Sequence, residues 1–278
     1  MLDHFRGGSR RLVSLIVLLS CASPLAAATA PTVSGKNSIP GMVDARVNLK
    51  DSYRRATAAR PTAAAAGIAE SRRQAESMSA AISQLKRTMP GLDVSASGFT
   101  GGLASVRNKG GALTAAAPGR SSEDIVRGFL GQHGAIYGLS AADVADLVAL
   151  GDSAGGSSGL RMLRMEQQID GLPIFQSETR FLLDREGRLM KSVGLLVPQA
   201  RAHAPRVDPA KLMTPGEAVS RLLAAEGRTA NAASFSVASD NGGRLELAES
   251  DAFVAGPVTA RQVLVPLAPG LLVPAWSL

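Results

Sequence analysis

The sequence predicts an α+β protein, two small helix-plus-antiparallel-sheet units that follow a signal peptide and a flexible leader. Three observations carry this prediction. Residues 160–198 spell out a meander of three antiparallel strands, and two helix-start signals, at Ser121 and Thr214, stand ahead of strand-like stretches. The chain also opens on an export sequence, so its first residues belong to targeting rather than to the fold.

The opening is basic and then apolar. Arg6, Arg10 and Arg11 precede an apolar run over residues 12–19, and Ala26-Ala27-Ala28-Thr29-Ala30 offers a small-residue cleavage site. Cleavage after Ala28 is preferred to cleavage after Ala30, which Pro31 would follow directly. The apolar run is too short for a transmembrane span. Residues 1–28 therefore read as a signal peptide directing the chain to the periplasm, the cell envelope or the outside. The single cysteine, Cys21, reads as an apolar residue of that signal, with a lipid anchor in the context Leu18-Leu19-Ser20-Cys21 as the alternative. Either way the mature chain forms no internal disulfide, and packing must stabilise it.

Residues 29–117 read as a low-complexity leader rich in Pro, Gly, Ala and Ser. Ala75, Met78, Ile82 and Leu85 recur at helical spacing between Pro61 and Pro90, which predicts one amphipathic helix there. The rest is expected to be linker. The basic pairs Arg54-Arg55, Arg72-Arg73 and Lys86-Arg87 are read as solvated charges rather than processing sites.

The first folded unit is expected over residues 118–200. Ser121 followed by Asp124 resembles a capping box, Ile125, Val126, Phe129 and Leu130 form an apolar face, and Gly134 stops the helix. Ser140 and Asp143 repeat the start signal for a short helix whose face is Val144, Leu147 and Val148. In the meander, Leu163, Met165 and Ile169 share one parity, and Asp170-Gly171 supplies a two-residue turn that tolerates positive φ. The return strand is expected over residues 172–183, and a second turn at residues 184–187 leads to a third strand carrying Leu189, Val193, Leu195 and Val197.

The second unit, residues 201–278, begins with a Pro-rich spacer. Thr214 as N-cap, Pro215 at the first helical position and Glu217 three residues after the cap make a full helix start, and Gly227 ends the helix. Strands are expected at residues 235–238 and 245–247, split by Asn241-Gly242, and at residues 261–267 and 271–276, split by Ala268-Pro269-Gly270. The chain stops at Leu278 inside an apolar strand, which reads as a truncated precursor.

Charge excludes one function class. The formal net charge is +7, but three Arg face one acid in residues 1–30, ten basic residues face four acidic ones in 31–90, and 17 face 18 in 91–278. The folded part is neutral, and a basic groove with interleaved aromatics, the footprint of nucleic-acid binding, is absent from the pattern.

Catalytic constellations fail for lack of context. Gly151-Asp152-Ser153-Ala154-Gly155 satisfies G-x-S-x-G, but a nucleophile elbow needs a strand before the serine and a helix after it, with a base in reach. Here Ser157-Ser158-Gly159 and a strand come next, so a Gly/Ser loop is expected. The three histidines, His4, His133 and His203, form no HExxH pair for zinc. His133 falls at a helix end, where a histidine serves the dipole. The acidic groups at Glu123-Asp124, 184–186 and 249–251 coincide with helix starts or turns, which accounts for them without acid–base work.

The meander carries a family resemblance. Gln167 stands four positions before Gly171, which is followed by Leu172, Pro173, Ile174 and Phe175, a long apolar strand closed by Asp184-x-x-Gly187, and an apolar strand ending in Pro198. This pattern resembles the propeptide domain of fungalysin and thermolysin type metalloproteases, the FTP domain. Ile169, where an aromatic residue is usual, and Gln176, where Gly is common, depart from it. The helix opening Thr214-Pro215-Gly216-Glu217-Ala218 and the strand ending Pro274-Ala275-Trp276 look like the PepSY domain that follows in such precursors. The resemblance implies two cystatin-like units that catalyse nothing. It implies a prodomain that chaperones and inhibits a cognate protease catalytic domain, docking by shape and main-chain pairing. It also implies no cofactor in this chain, since zinc belongs to the absent catalytic domain. A stand-alone secreted PepSY-type module, or an inhibitor acting in trans, is the alternative.

Overall fold

The structure, a computed structural model, describes residues 16–18, 61–97, 100–206, 212–225, 227–248 and 257–278. The proposed cleavage site at Ala28, Cys21, His4 and the acidic group at 249–251 lie outside the described residues. The fold is α+β, with helices set against two antiparallel sheets.

The first unit starts earlier than the sequence pattern indicates. Helix α1 (Pro61–Thr88) is followed by β2 (Leu92–Ala96) and β3 (Leu103–Asn108), an antiparallel pair within the stretch expected to be linker. Their apolar residues are few, and pairing of β3 with β8 (Leu189–Gly194) gives them their place. Met78 and Leu85 of α1 are buried and Ile82 packs beside them, whereas Ala75 of the expected face is exposed.

Helix α2 (Ser122–His133) begins where Ser121 Oγ accepts from Asp124 N–H at 3.0 Å, and its Ile125, Val126, Phe129 and Leu130 are all buried. Helix α3 (Ala141–Ala145) carries a full capping box between Ser140 and Asp143 but lasts barely one turn. The chain then extends as β4 (Leu147–Ala154), so Leu147 is buried as a strand residue and Val148, expected on the helix face, is exposed. Strands β5 (Arg161–Ile169), β6 (Leu172–Pro173) and β7 (Thr179–Leu183) follow. The sheet order is β2-β3-β8-β7-β5-β4, with β6 paired to β5. The parity read for β5 holds: Leu163, Met165 and Ile169 face inward, and Leu163 lies opposite Phe181. The helices cover this face, where Val106, Leu163, Met165, Phe181, Leu183 and Leu189 meet α1 and α2. Burying each large aliphatic or aromatic side chain here contributes roughly 1.5–3 kcal/mol.

A short helix, α4 (Ala200–His203), bridges to the second unit. Helix α5 (Pro215–Ala225) starts as expected: Thr214 N–H donates to Glu217 Oε2 at 2.7 Å, and Glu217 N–H to Thr214 Oγ1 at 3.2 Å. Strands β9 (Val237–Asn241), β10 (Arg244–Leu247), β11 (Val258–Ala268) and β12 (Leu271–Ser277) form the second sheet, and β1 (Ile16–Leu18) adds to its edge in the order β1-β12-β11-β10-β9. Ala218 and Val219 of α5 pack on Phe235, Leu247, Ala260 and Trp276, whose indole N–H donates to Met213 O at 2.9 Å.

Candidate functional site

Most of the residues that carry the resemblance, Gln167, Gly171, Pro173, Ile174, Phe175 and Pro198, gather at the joint between the two sheets. Asp170 and Gly171 both adopt positive φ, 51° and 81°, the conformation a two-residue hairpin turn demands. The hairpin returns as β6, with Leu172 opposite Ile169 and Pro173 opposite Gln168. The expected long return strand stops there. Ile174 leaves the first sheet to form a parallel bridge with Leu264 of β11, and Phe175 N–H donates to Leu264 O at 2.8 Å. Gln176 then takes φ 59°, turning the chain back toward β7. This left-handed position explains why a glycine suits it.

Side chains lock the joint. Ile169, Ile174, Val197, Ala200, Leu264 and Leu272 form one buried cluster drawn from both units. Phe175 packs on a neighbouring cluster that includes Val263, Val265 and Ala275. Gln167 is 1 % exposed, and its amide behaves like a strand neighbour: Val197 N–H donates to Oε1 at 2.6 Å and Nε2 donates to Val197 O at 3.1 Å. The backbone N–H of Gln167 donates to Ser177 Oγ at 3.0 Å, which fixes the far side of the excursion. Pro198 completes the motif against two glycines, since a Cβ on Gly138 would lie 2.7 Å from Pro198 Cβ and one on Gly102 would lie 3.2 Å from Pro198 Cδ.

An electrostatic clamp closes the same region. Arg201 of α4 donates to both carboxylate oxygens of Asp146 (2.7 and 2.6 Å) and to Asp170 Oδ1 at 2.7 Å, while its backbone N–H donates to Asp143 Oδ1 at 2.9 Å. The hydrogen bonds to Asp146 and then Asp170 raise the Arg201 pKa above its ordinary value. The two remaining motif residues, Asp184 and Gly187, build the distant β7–β8 turn. Burial pulls the Asp184 carboxyl upward, but hydrogen bonds from the Arg188 backbone and guanidinium and from the Glu186 N–H outweigh it and hold the pKa below the usual carboxylate value. Gly187 has φ 72°, and a Cβ there would lie 2.7 Å from Ala117 O. The pattern is thus built into turns and a joint.

The catalytic candidates stay apart. Ser153 lies on the exposed edge strand β4 rather than in the expected Gly/Ser loop, and its Oγ donates to Met162 O at 3.4 Å. Main-chain pairing to β5 forms this strand without help from an apolar pattern. The chain after β4 makes a short 3-10 turn over Gly156–Ser158 and enters β5, so the geometry of a nucleophile elbow is not formed. His133 packs on Phe129 with ring centroids 5.2 Å apart, and burial lowers its pKa. His203 ends α4. Among the described residues, no group of three or more His, Cys, Asp or Glu is placed to hold a metal ion. No helix among them is long and apolar enough to cross a membrane.

Among the described residues, two clefts stand out on the surface. One, about 380 Å³, runs between α2 and the segment 113–117 and is lined by Arg120, Ile125, Gly128, Phe129 and His133 among others. The other, about 250 Å³, lies beside the joint between Leu172 and Pro173 on one side and Asp240, Arg261 and Trp276 on the other. The first is lined from the single stretch 113–133, whereas the second is lined from segments far apart in the chain, which leave no joint signal in the sequence. No protein-family model matches the chain, and no curated protein matches it.

Proposed function

We propose that this chain is a non-catalytic prodomain of a secreted zinc metallopeptidase of the fungalysin and thermolysin type, serving as its inhibitor and its intramolecular chaperone. The observation that carries this reading is the fate of the motif residues. Of the residues on which the family resemblance stands, Ile174 and Phe175 tie the first sheet to Leu264 of the second, Gly171 and Pro173 make the turn that delivers them, and Gln167 pins β5 to Val197 beside the same cluster. A motif used in this way holds shape, and shape is what an inhibitor needs. A rigid pair of sheets loses little conformational entropy when it covers a cleft, so more of the contact energy appears as affinity. A preformed surface of the same kind also gives a nascent catalytic domain something to fold against.

In this reading the zinc and its ligands belong to the partner catalytic domain, and the prodomain contributes surface only. The test is to mix the purified chain beginning at Thr29 with the mature metalloprotease encoded next to it. Peptide hydrolysis should slow, and the yield of active enzyme on refolding should rise. A chain that neither inhibits nor assists refolding ends this reading.

A further inference from the structure

The second sheet has one edge whose pairing depends on a segment expected to leave the protein. β1 pairs antiparallel with β12, with Ile16 opposite Ser277, Val17 opposite Trp276 and Leu18 opposite Ala275. β1 lies inside the apolar run of the expected signal peptide, and cleavage after Ala28 takes it away. β12 itself remains anchored, because its other edge pairs with β11 from Leu271 to Ser277 and its Leu272, Ala275 and Trp276 are buried.

The edge so vacated is built to accept another strand. Sheets protect an open edge with charged side chains, proline or bulges. The seven residues of β12 carry no charge, and the protecting device among them is Pro274, which adjoins the described pair of Leu18 with Ala275. A proline has no N–H to donate to a ladder, so it sets one limit of the seat and leaves residues 275–277 open. The preference of the seat is visible in its occupant: an extended, uncharged, antiparallel segment of the composition Ile-Val-Leu, centred opposite Trp276.

We propose that the outer edge of β12 is a strand-acceptor site, filled in the precursor by residues 16–18 and, after their removal, by an extended apolar segment of the partner protease. The occupant's identity as the protease rests on the prodomain reading; the site itself rests on the sheet. Main-chain hydrogen bonds across the edge supply the attraction, and the neutral apolar character of β12 selects an uncharged strand. The signal segment then acts as a placeholder that keeps the edge from pairing before export.

The test uses the mature chain from Thr29 to Leu278 and a synthetic peptide of residues 12–20 flanked by lysines for solubility and labelled for anisotropy. The peptide should bind, slow amide exchange in the segment containing residues 275–277, and change the emission of Trp276, the single tryptophan. A Val17→Pro version of the peptide should bind at least about tenfold more weakly, since proline removes a ladder hydrogen bond. The uncleaved chain, made in a cell-free system without signal peptidase, should leave the peptide unbound. Equal binding by the proline peptide, equal binding to the uncleaved chain, or no binding to the mature chain would overturn the strand-acceptor site. A further arm adds the unlabelled peptide to the inhibited protease and should restore its activity. Peptide binding without such relief removes the protease as occupant and overturns the proposal. A mature chain that binds the peptide yet never inhibits the protease sinks the prodomain reading and, with it, the assignment of the occupant, while the acceptor edge stands on its own arms.

Discussion

Gln167 shows how much one buried amide can hold. Its side chain occupies both the donor and the acceptor of Val197, 30 residues away, in a region closed to water. Gln167→Leu keeps the bulk and strands both backbone groups, and each unsatisfied buried group costs about 1–3 kcal/mol. The variant is expected to lose about 2–4 kcal/mol, read as a lower urea midpoint with an unchanged slope. Tyr137 makes a second buried contact, its hydroxyl 2.6 Å from Ser192 Oγ. Burial pushes its pKa well above the ordinary 10, and the Ser192 hydrogen bond opposes this only in part. The folded phenol therefore stays protonated while the unfolded one ionises near pH 10, so the unfolded chain binds fewer protons there and stability falls as pH rises above 10. Tyr137→Phe should flatten that alkaline decline, a difference that denaturant titrations of both proteins at rising pH will measure. The sequence marks Gln167 as a motif position, but its partner is invisible there, because a contact across 30 residues leaves no local pattern.

Turns and strand ends divide the motif by role. Gly171 and Gly187 both need positive φ, 81° and 72°, but only Gly187 is also crowded. A Cβ at Gly171 meets nothing within 4 Å, whereas one at Gly187 would meet Ala117 O at 2.7 Å and Ile125 Cδ1 at 3.2 Å. Gly171→Ala should cost about 1–2 kcal/mol from backbone strain. Gly187→Ala should cost about 1–3 kcal/mol more, because the backbone at Ala117 must move. Thermal unfolding of the two variants side by side gives the comparison. At this scale, turns and capped helices were legible: the Ser121, Ser140 and Thr214 starts and the Asp170-Gly171 hairpin all form where the residues place them. The strands at the two ends of the first sheet's order, with β3 beside β2, were not legible. β2, β3 and β4 carry few inward apolar residues, and main-chain bonds that any residue can make define them.

Across the whole molecule, the first core depends on residues that read as leader. Met78, Leu85, Leu92, Leu103 and Val106 are all buried in the cluster that also holds Phe129, Tyr137 and Phe181. A chain begun at residue 118 would open that core along one side and leave β8 with an unpaired edge. Such a chain is expected to lose its cooperative unfolding transition, while a chain begun at Pro61 keeps it. Circular dichroism melting of the two distinguishes them. The two units are also expected to unfold as coupled parts, since the cluster of Ile169, Ile174, Val197, Ala200, Leu264 and Leu272 belongs to both.

The sequence by itself determined the α+β class, the capped starts of the helices, the parity of β5 and the glycines of the turns. Each of these is a local matter of period, cap or φ, decided by residues within a few positions of one another. Only the tertiary structure decided that Ile174 and Phe175 leave their strand for Leu264, that Arg201 clamps Asp146 and Asp170, and that residues 16–18 pair with β12. Those features arise where distant segments exchange main-chain hydrogen bonds and buried surface, and such pairings write no periodic signature into either segment.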